Sequence, residues 1–202
     1  MTQPPPSPDD AAPRAARTVT EAKALAALAH PNRARLMDAL RVDGPSTASE
    51  LARRTGQAVG SASHHLKVLH EAGLVAEAPE LARDRRERWW RLVAPRLRWS
   101  RQEFADDTAA VAAAQAAEAL QLQRQFDKVR AWQADAESVP EWDAAAFATE
   151  SWMHLSPDEL AELGAEMTAV LVRWAERERT RPDDDVEREP VLVFGRGFPA
   201  QP

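Results

Sequence analysis

The chain has 202 residues, no cysteine and a net charge of -6. That length suits one large domain or two small ones, and the missing cysteine excludes disulfides, thiolate metal sites and a cysteine nucleophile. No apolar run approaches the roughly 18 residues that span a bilayer, and the Pro-rich N-terminus lacks the basic-then-apolar order of a secretory signal, so a cytoplasmic protein with no membrane partner is expected.

Residues 1–17 hold two Arg and two Asp among Pro and Ala, with few apolar groups. This composition predicts a disordered arm; the functional alternative is an arm that touches DNA through Arg14 and Arg17. Residues 18–98 carry 14 Lys and Arg against 9 Asp and Glu, with four of the five His, whereas residues 99–202 carry 10 against 21. The overall charge therefore conceals a basic first half, expected to meet a polyanion, and an acidic second half. Arg outnumbers Lys 23 to 3 and Ala is abundant, the bias of a GC-rich bacterial genome.

A helix is predicted over 18–29, with Val19, Ala22, Leu25, Ala26 and Leu28 on its apolar side. His30-Pro31 breaks it, because the residue before proline is pushed out of the helical region. Pro31 then opens a second helix, 31–42, where its missing N–H costs little; Leu36, Met37 and Leu40 form its inner face. Gly44-Pro45 ends it.

Residues 47–75 read TASELARRTGQAVGSASHHLKVLHEAGLV. Thr47 with Glu50 three residues on forms a capping box, and Leu51 and Ala52 point inward. Gly56 supplies a tight turn. In the next helix, 58–72, Val59, Ala62, Leu66 and Leu69 are spaced by 3, 4 and 3, which predicts one buried stripe. The rest of that helix and its entry carry Gln57, Ser61, Ser63, His64, His65 and Lys67. These polar groups are small or medium, with one full charge among them, which suits close approach to base edges and phosphates in a major groove. Gly73 caps the helix.

Two short strands are predicted next, Leu74–Ala78 and Arg88–Val93, the second with Trp90 and Leu92 alternating around Arg91. Their connection holds Arg83, Arg85 and Arg86. After a helix-turn-helix, such a basic hairpin reads as a wing reaching the minor groove or the phosphates; the alternative is a solvated loop, since Asp84 and Glu87 are interleaved.

The pieces LAHPNRARLMDAL (28–40), ELARRTGQAVGSASHHLKVLHEAGLV (50–75) and RRERWWRL (85–92) resemble the ArsR-like winged-helix transcriptional regulators. The resemblance covers roughly residues 20–95. It implies a homodimer that binds a near-palindromic operator on double-stranded DNA and usually represses transcription. Many members sense metals through Cys in the first helix of the helix-turn-helix; here Ala48, Ser49, Leu51 and Ala52 stand there. Others place Asp and His ligands on the C-terminal helix, and between Trp99 and Glu137 this chain has no His. No metal sensing is expected.

Pro95 punctuates the end of the wing domain. A helix is predicted from about Leu97 to Ala136, with Phe104, Thr108, Val111, Gln115, Ala119, Leu122, Phe126 and Val129 close to a coiled-coil seam. About 40 residues give a rod of roughly 60 Å. A small domain cannot cover such a rod, so it either pairs with a second copy, the favoured reading, or packs on a later helix of its own chain. Ser138-Val139-Pro140 breaks it. Ser156-Pro157-Asp158-Glu159 starts another helix, amphipathic through Leu160, Leu163, Met167, Val170, Leu171 and Trp174 to about Arg179. An acidic linker (181–189) and a β-branched, aromatic segment (190–198) follow, the latter expected to be a terminal strand.

No enzyme constellation stands out, so catalysis, catalytic residues, a metal site and a cofactor are not expected. His64 and His65, adjacent on a helix, point about 100° apart and cannot readily chelate one metal. Trp99, Phe104, Phe126, Trp132, Trp142, Phe147, Trp152 and Trp174 all follow the wing. They are either core or, for Trp99, Phe126, Trp132, Trp142, Phe147, Trp152 and Trp174, the walls of a pocket for an apolar or cationic small-molecule effector.

The expectation is thus a mainly α, dimeric winged-helix DNA-binding regulator: arm 1–17, DNA-binding domain 18–95, helical dimerisation and sensing region 96–202. Gln57, Ser61, Ser63, His64 and His65 would meet bases or phosphates, Lys67, Arg53 and Arg54 phosphates, and Arg83, Arg85 and Arg86 the flanking groove. The rival reading is a winged helix used for protein contact, with the acidic second half binding a basic partner.

Overall fold

A computed structural model describes residues 17–84, 87–99, 104, 106–135, 137 and 139–201. They form two compact units, divided after Pro140.

The first unit begins with β1 (Arg17–Thr18), α1 (Ala22–Leu28) and α2 (Pro31–Val42). Pro31 opens α2, and the side chain of His30 accepts the N–H of Asn32, one of the orphan donors of a helix start. β2 (Ser46–Thr47), α3 (Ala48–Thr55), α4 (Val59–Glu71), β3 (Val75–Glu77) and β4 (Trp89–Leu92) follow. β4 is the middle strand of a small antiparallel sheet, with Ser46 opposite Trp90 on one side and Val75 opposite Leu92 on the other. The β3–β4 hairpin is the predicted wing. Leu25, Leu36, Leu51, Leu66, Leu69 and Leu74 are fully buried and join Trp90 in one core beneath α1 to α4 and the sheet.

Three expectations change here. The first helix is shorter than 18–29, because residues 17–19 are drawn into a ladder instead. β1 pairs in parallel with β5 (Leu97–Arg98), and Val19 N–H reaches the Arg98 carbonyl. Arg17 therefore belongs to the domain rather than to a loose arm, and its guanidinium donates to the Gly73 carbonyl just past α4. Arg14 lies outside the described residues. The long helix, α5 (Thr108–Asp135), has 28 residues, about 42 Å rather than 60. Its start is fixed by Asp107, whose carboxylate accepts the N–H groups of Ala109 and Ala110.

α5 packs along α1 through the buried Ala110, Ala114 and Ala117, small side chains that let the two helices approach closely. Farther along, Arg124 and Lys128 converge on Asp38 of α2. α5 is thus part of the first unit, which runs past the boundary expected at residue 95.

The second unit contains α6 (Pro140–Ala145, starting at the boundary) and α7 (Pro157–Arg179). α7 starts as the sequence predicts, on a capping box between Ser156 and Glu159 with Pro157 in the first turn. The expected terminal strand does not form: residues 190–198 pair with no strand among the described residues and run without regular structure. The segment instead approaches α7 so closely that a Cβ on Gly195 would meet Met167 at 2.8 Å and one on Gly197 would meet Leu160 at 2.9 Å.

Candidate nucleic-acid interface

The helix-turn-helix is built from local chemistry. Thr47 Oγ1 accepts the Glu50 N–H, and Glu50 Oε2 accepts the Thr47 N–H at 2.8 Å. That N–H and the Thr47 hydroxyl, which also donates to Glu50 Oε2, hold the Glu50 carboxyl below its usual range. The turn residue Gly56 has φ +67°, the left-handed region that glycine enters without a Cβ penalty. From there α4 sets off with Ala62, His65, Leu66 and Leu69 inward. Gly60, Ser63, His64 and Lys67 are outward and exposed, and Ser61 is half-buried.

Between the outer face of α4, the first turn of α3 and the wing lies an open cleft of about 780 Å³. Ser63, His64 and Lys67 line it from α4, Ser49 from α3, and Arg88 from the wing. Arg88 sits 3.6 Å from Glu77 across the hairpin, and Arg91 pairs with Glu80 at 2.7 Å. The wing's cations are thus partly held by its own carboxylates, an arrangement that fixes the hairpin but tempers its field. Arg53 and Arg83 are exposed; the Arg83 backbone N–H is tied to Glu87 Oε2. Arg85 and Arg86 lie outside the described residues.

Three predicted contact residues are placed differently. His65 is buried on the inner face of α4, its ring tilted against that of His30 at 4.6 Å between centroids, so it cannot reach a base edge. Gln57 turns inward, donating its amide to the Asn32 carbonyl and to Thr55 Oγ1. Arg54 pairs with Asp43 at 3.0 Å. Conversely, Val59 belongs to the outer surface, 49% exposed and lining the cleft, not to the buried stripe. It heads the helix one turn before the core begins, where stripe spacing carries no information. Ser49, His70 and Arg88 also line the cleft. Ser49 lies in the first turn of α3, and His70 follows Lys67 by three residues on α4, a helical spacing that could have flagged it.

Residues 28–78 match the sequence model of the helix-turn-helix domain family. The chain carries a winged helix-turn-helix domain. Its ArsR-like character rests on the sequence pieces quoted above. A solved structure that is similar is the solution NMR structure of a homodimeric winged helix-turn-helix DNA-binding domain (fragment 1–100) from Mycobacterium bovis, a possible ArsR-family transcriptional regulator. It is 20% identical, covering 56% of this chain and 83% of that one, with a TM-score of 0.34. No curated protein matches the chain.

The aromatic residues that follow the wing are placed unit by unit. Trp99 packs against the winged-helix core, and Phe126 is 49% exposed on α5. In the second unit Trp142, Phe147, Trp152 and Trp174 are all exposed. Phe126 and Trp132 lie on α5, Trp142 on α6 and Trp174 on α7, while Trp99, Phe147 and Trp152 lie outside the helices. Trp132 is half-buried on α5.

Proposed function

We propose that the protein is a dimeric, sequence-specific DNA-binding regulator of transcription that acts as a repressor in the cytoplasm. The observation that carries this is the outer face of α4. Ser63, His64 and Lys67 stand exposed on a helix whose other side is locked into a core, beside a cleft flanked by a basic wing. Small hydrogen-bonding groups, an imidazole and one cation suit base edges and phosphates, and Val59 suits a thymine methyl. Lys67, Arg53 and Arg88 would hold backbone phosphates, which position the protein without reading sequence. Bound at a promoter, the protein would exclude polymerase.

The dimer rests on α5. Its inner stripe of Ala packs on α1, but Gln115, Ala119 and Phe126, on the seam read from the sequence, stay exposed within one chain. Two copies would present two recognition helices to two half-sites.

Duplex binding over a salt series tests the reading. Lys67→Ala should weaken binding to all sequences and reduce the salt slope by about one for the lost phosphate contact. Arg85→Ala with Arg86→Ala should reduce it by about two on the same basis. His64→Ala should change sequence preference instead. No duplex binding at micromolar protein and moderate salt would sink the proposal and favour a protein-binding winged helix.

A further inference from the structure

The second unit raises a physical problem that DNA binding does not address. α7 has 23 residues and not one of them is buried. Leu160, Leu163, Met167, Val170 and Trp174 repeat at 3, 4, 3 and 4, the spacing of a coiled-coil seam. Within the unit the 195–197 segment touches this seam at Leu160 and Met167, yet Met167 is still 47% exposed and Trp174 56%. A helix this amphipathic gains its stability from covering such a stripe.

The charges along the helix say what covers it. The first half of α7 carries Asp158, Glu159, Glu162 and Glu166 with no cation; the second half carries Arg173, Arg177 and Arg179 beside Glu176 and Glu178. A second α7 lying parallel would set acidic half against acidic half. Lying antiparallel, it sets each acidic half against the other copy's arginines. With Leu160 taken as position a of the heptad, Glu166 and Arg173 both fall at position g. Antiparallel pairing brings g against g, so Glu166 of each copy meets Arg173 of the other, twice by symmetry. Gly164, with open space where a Cβ would be, falls opposite Leu171 and gives that side chain room. Trp174, under the Arg177 guanidinium at 4.4 Å, comes against Leu163 of the other copy.

We infer that α7 is a second self-association surface, pairing antiparallel with α7 of another copy about a twofold axis near residues 168–169. This interface uses none of the DNA-facing residues and is separate from α5, so its failure and that of the DNA-binding reading are told apart.

The chain's lack of cysteine makes the test direct. Full-length Leu163→Cys and Trp174→Cys variants, differently tagged and co-expressed, are treated with a bismaleimide linker of about 8 Å. In the antiparallel pair, residue 163 of one copy faces 174 of the other, whereas two 163 positions sit roughly 16 Å apart along the axis. The expected result is a cross-link between the two tags and none in either variant alone. Cross-linking in the single variants, or none in any sample, overturns the proposal. In the co-expressed pair, Glu166→Arg or Arg173→Glu alone should reduce cross-linking about fivefold, since each makes two like-charge contacts, and both together should restore it. Failure of the double exchange to restore it overturns the antiparallel register. Duplex binding is measured on the same samples and should be unchanged.

Discussion

α3 and α7 begin with the same chemistry and meet different fates. Each opens on a capping box, Thr47 with Glu50 and Ser156 with Glu159, in which the N-cap hydroxyl accepts a backbone N–H and the glutamate returns the bond. α3 then drops Leu51 and Ala52 into a core shared with α1, α2, α4, α5, β3 and β4, whereas α7 keeps every side chain at least partly in solvent. A cap decides where a helix starts; burial decides whether it holds a tertiary structure. The first unit is stabilised by long-range contacts between helices, and the second by local chemistry and whatever covers α7.

Substitution in the core should separate the two units most sharply. Leu66→Ala, at a fully buried position on α4, should cost about 2–5 kcal/mol through lost burial and the cavity left behind. Leu163→Ala on α7 should leave the unfolding midpoint of the first unit unchanged. Denaturant titration followed by circular dichroism reads both, and an equal loss from the two changes would mean the units unfold as one.

Removing the caps is a finer test. Thr47→Ala should destabilise the first unit by about 1 kcal/mol, because α3 unfolds with its core. Ser156→Ala removes the same bonds from a helix with no buried face, and should fray the start of α7 without moving that transition. Amide exchange at the first turns of the two helices distinguishes the outcomes. If Ser156→Ala also lowers the first unit's midpoint, α7 is coupled to it.

What could be read from the sequence follows the same division. Caps, prolines and turn glycines act within a few residues, so α2, the capping boxes, Gly56 and the start of α7 were legible in place. The wing was legible from the alternation of Trp90 and Leu92 around Arg91. The parallel pairing of Arg17–Thr18 with Leu97–Arg98 was not, because two residues show no alternation and the partner is 80 positions away. At the candidate interface, Ser63, His64 and Lys67 were placed correctly on the outer face by helical spacing. His65 was misread because a polar residue was assumed to face outward, although it lies three residues after Ala62 and four before Leu69, within the buried stripe. The terminal segment has strand composition but no neighbouring edge, and composition alone cannot supply a partner.

That misread histidine leads to the smallest and most specific effect. His30 and His65 face each other under α4, with the charged Arg33 acting on both and His64 beside His65 at 5.6 Å between ring centroids. Burial, then Arg33, pulls His30 below its usual 6.5; burial, then His30, Arg33 and His64, does the same to His65. Between the folded values and 6.5 the unfolded chain binds more protons than the folded one, so stability rises with pH there. The contribution is complete above 6.5 and is lost as the pH falls through the folded values. In the second unit, Arg188 holds Asp184 near a pKa of about 2, and the Ser156 N–H holds Glu159 below its usual range. Neither titrates in that window. Thermal unfolding of the full chain from pH 7.5 to 5.5 should therefore lower the midpoint of the first unit while the helicity of α7 holds steady. His65→Gln, which keeps a polar side chain but cannot protonate, should flatten that slope. A flat profile in the natural chain, or the same slope in the variant, would remove the histidine pair as its cause.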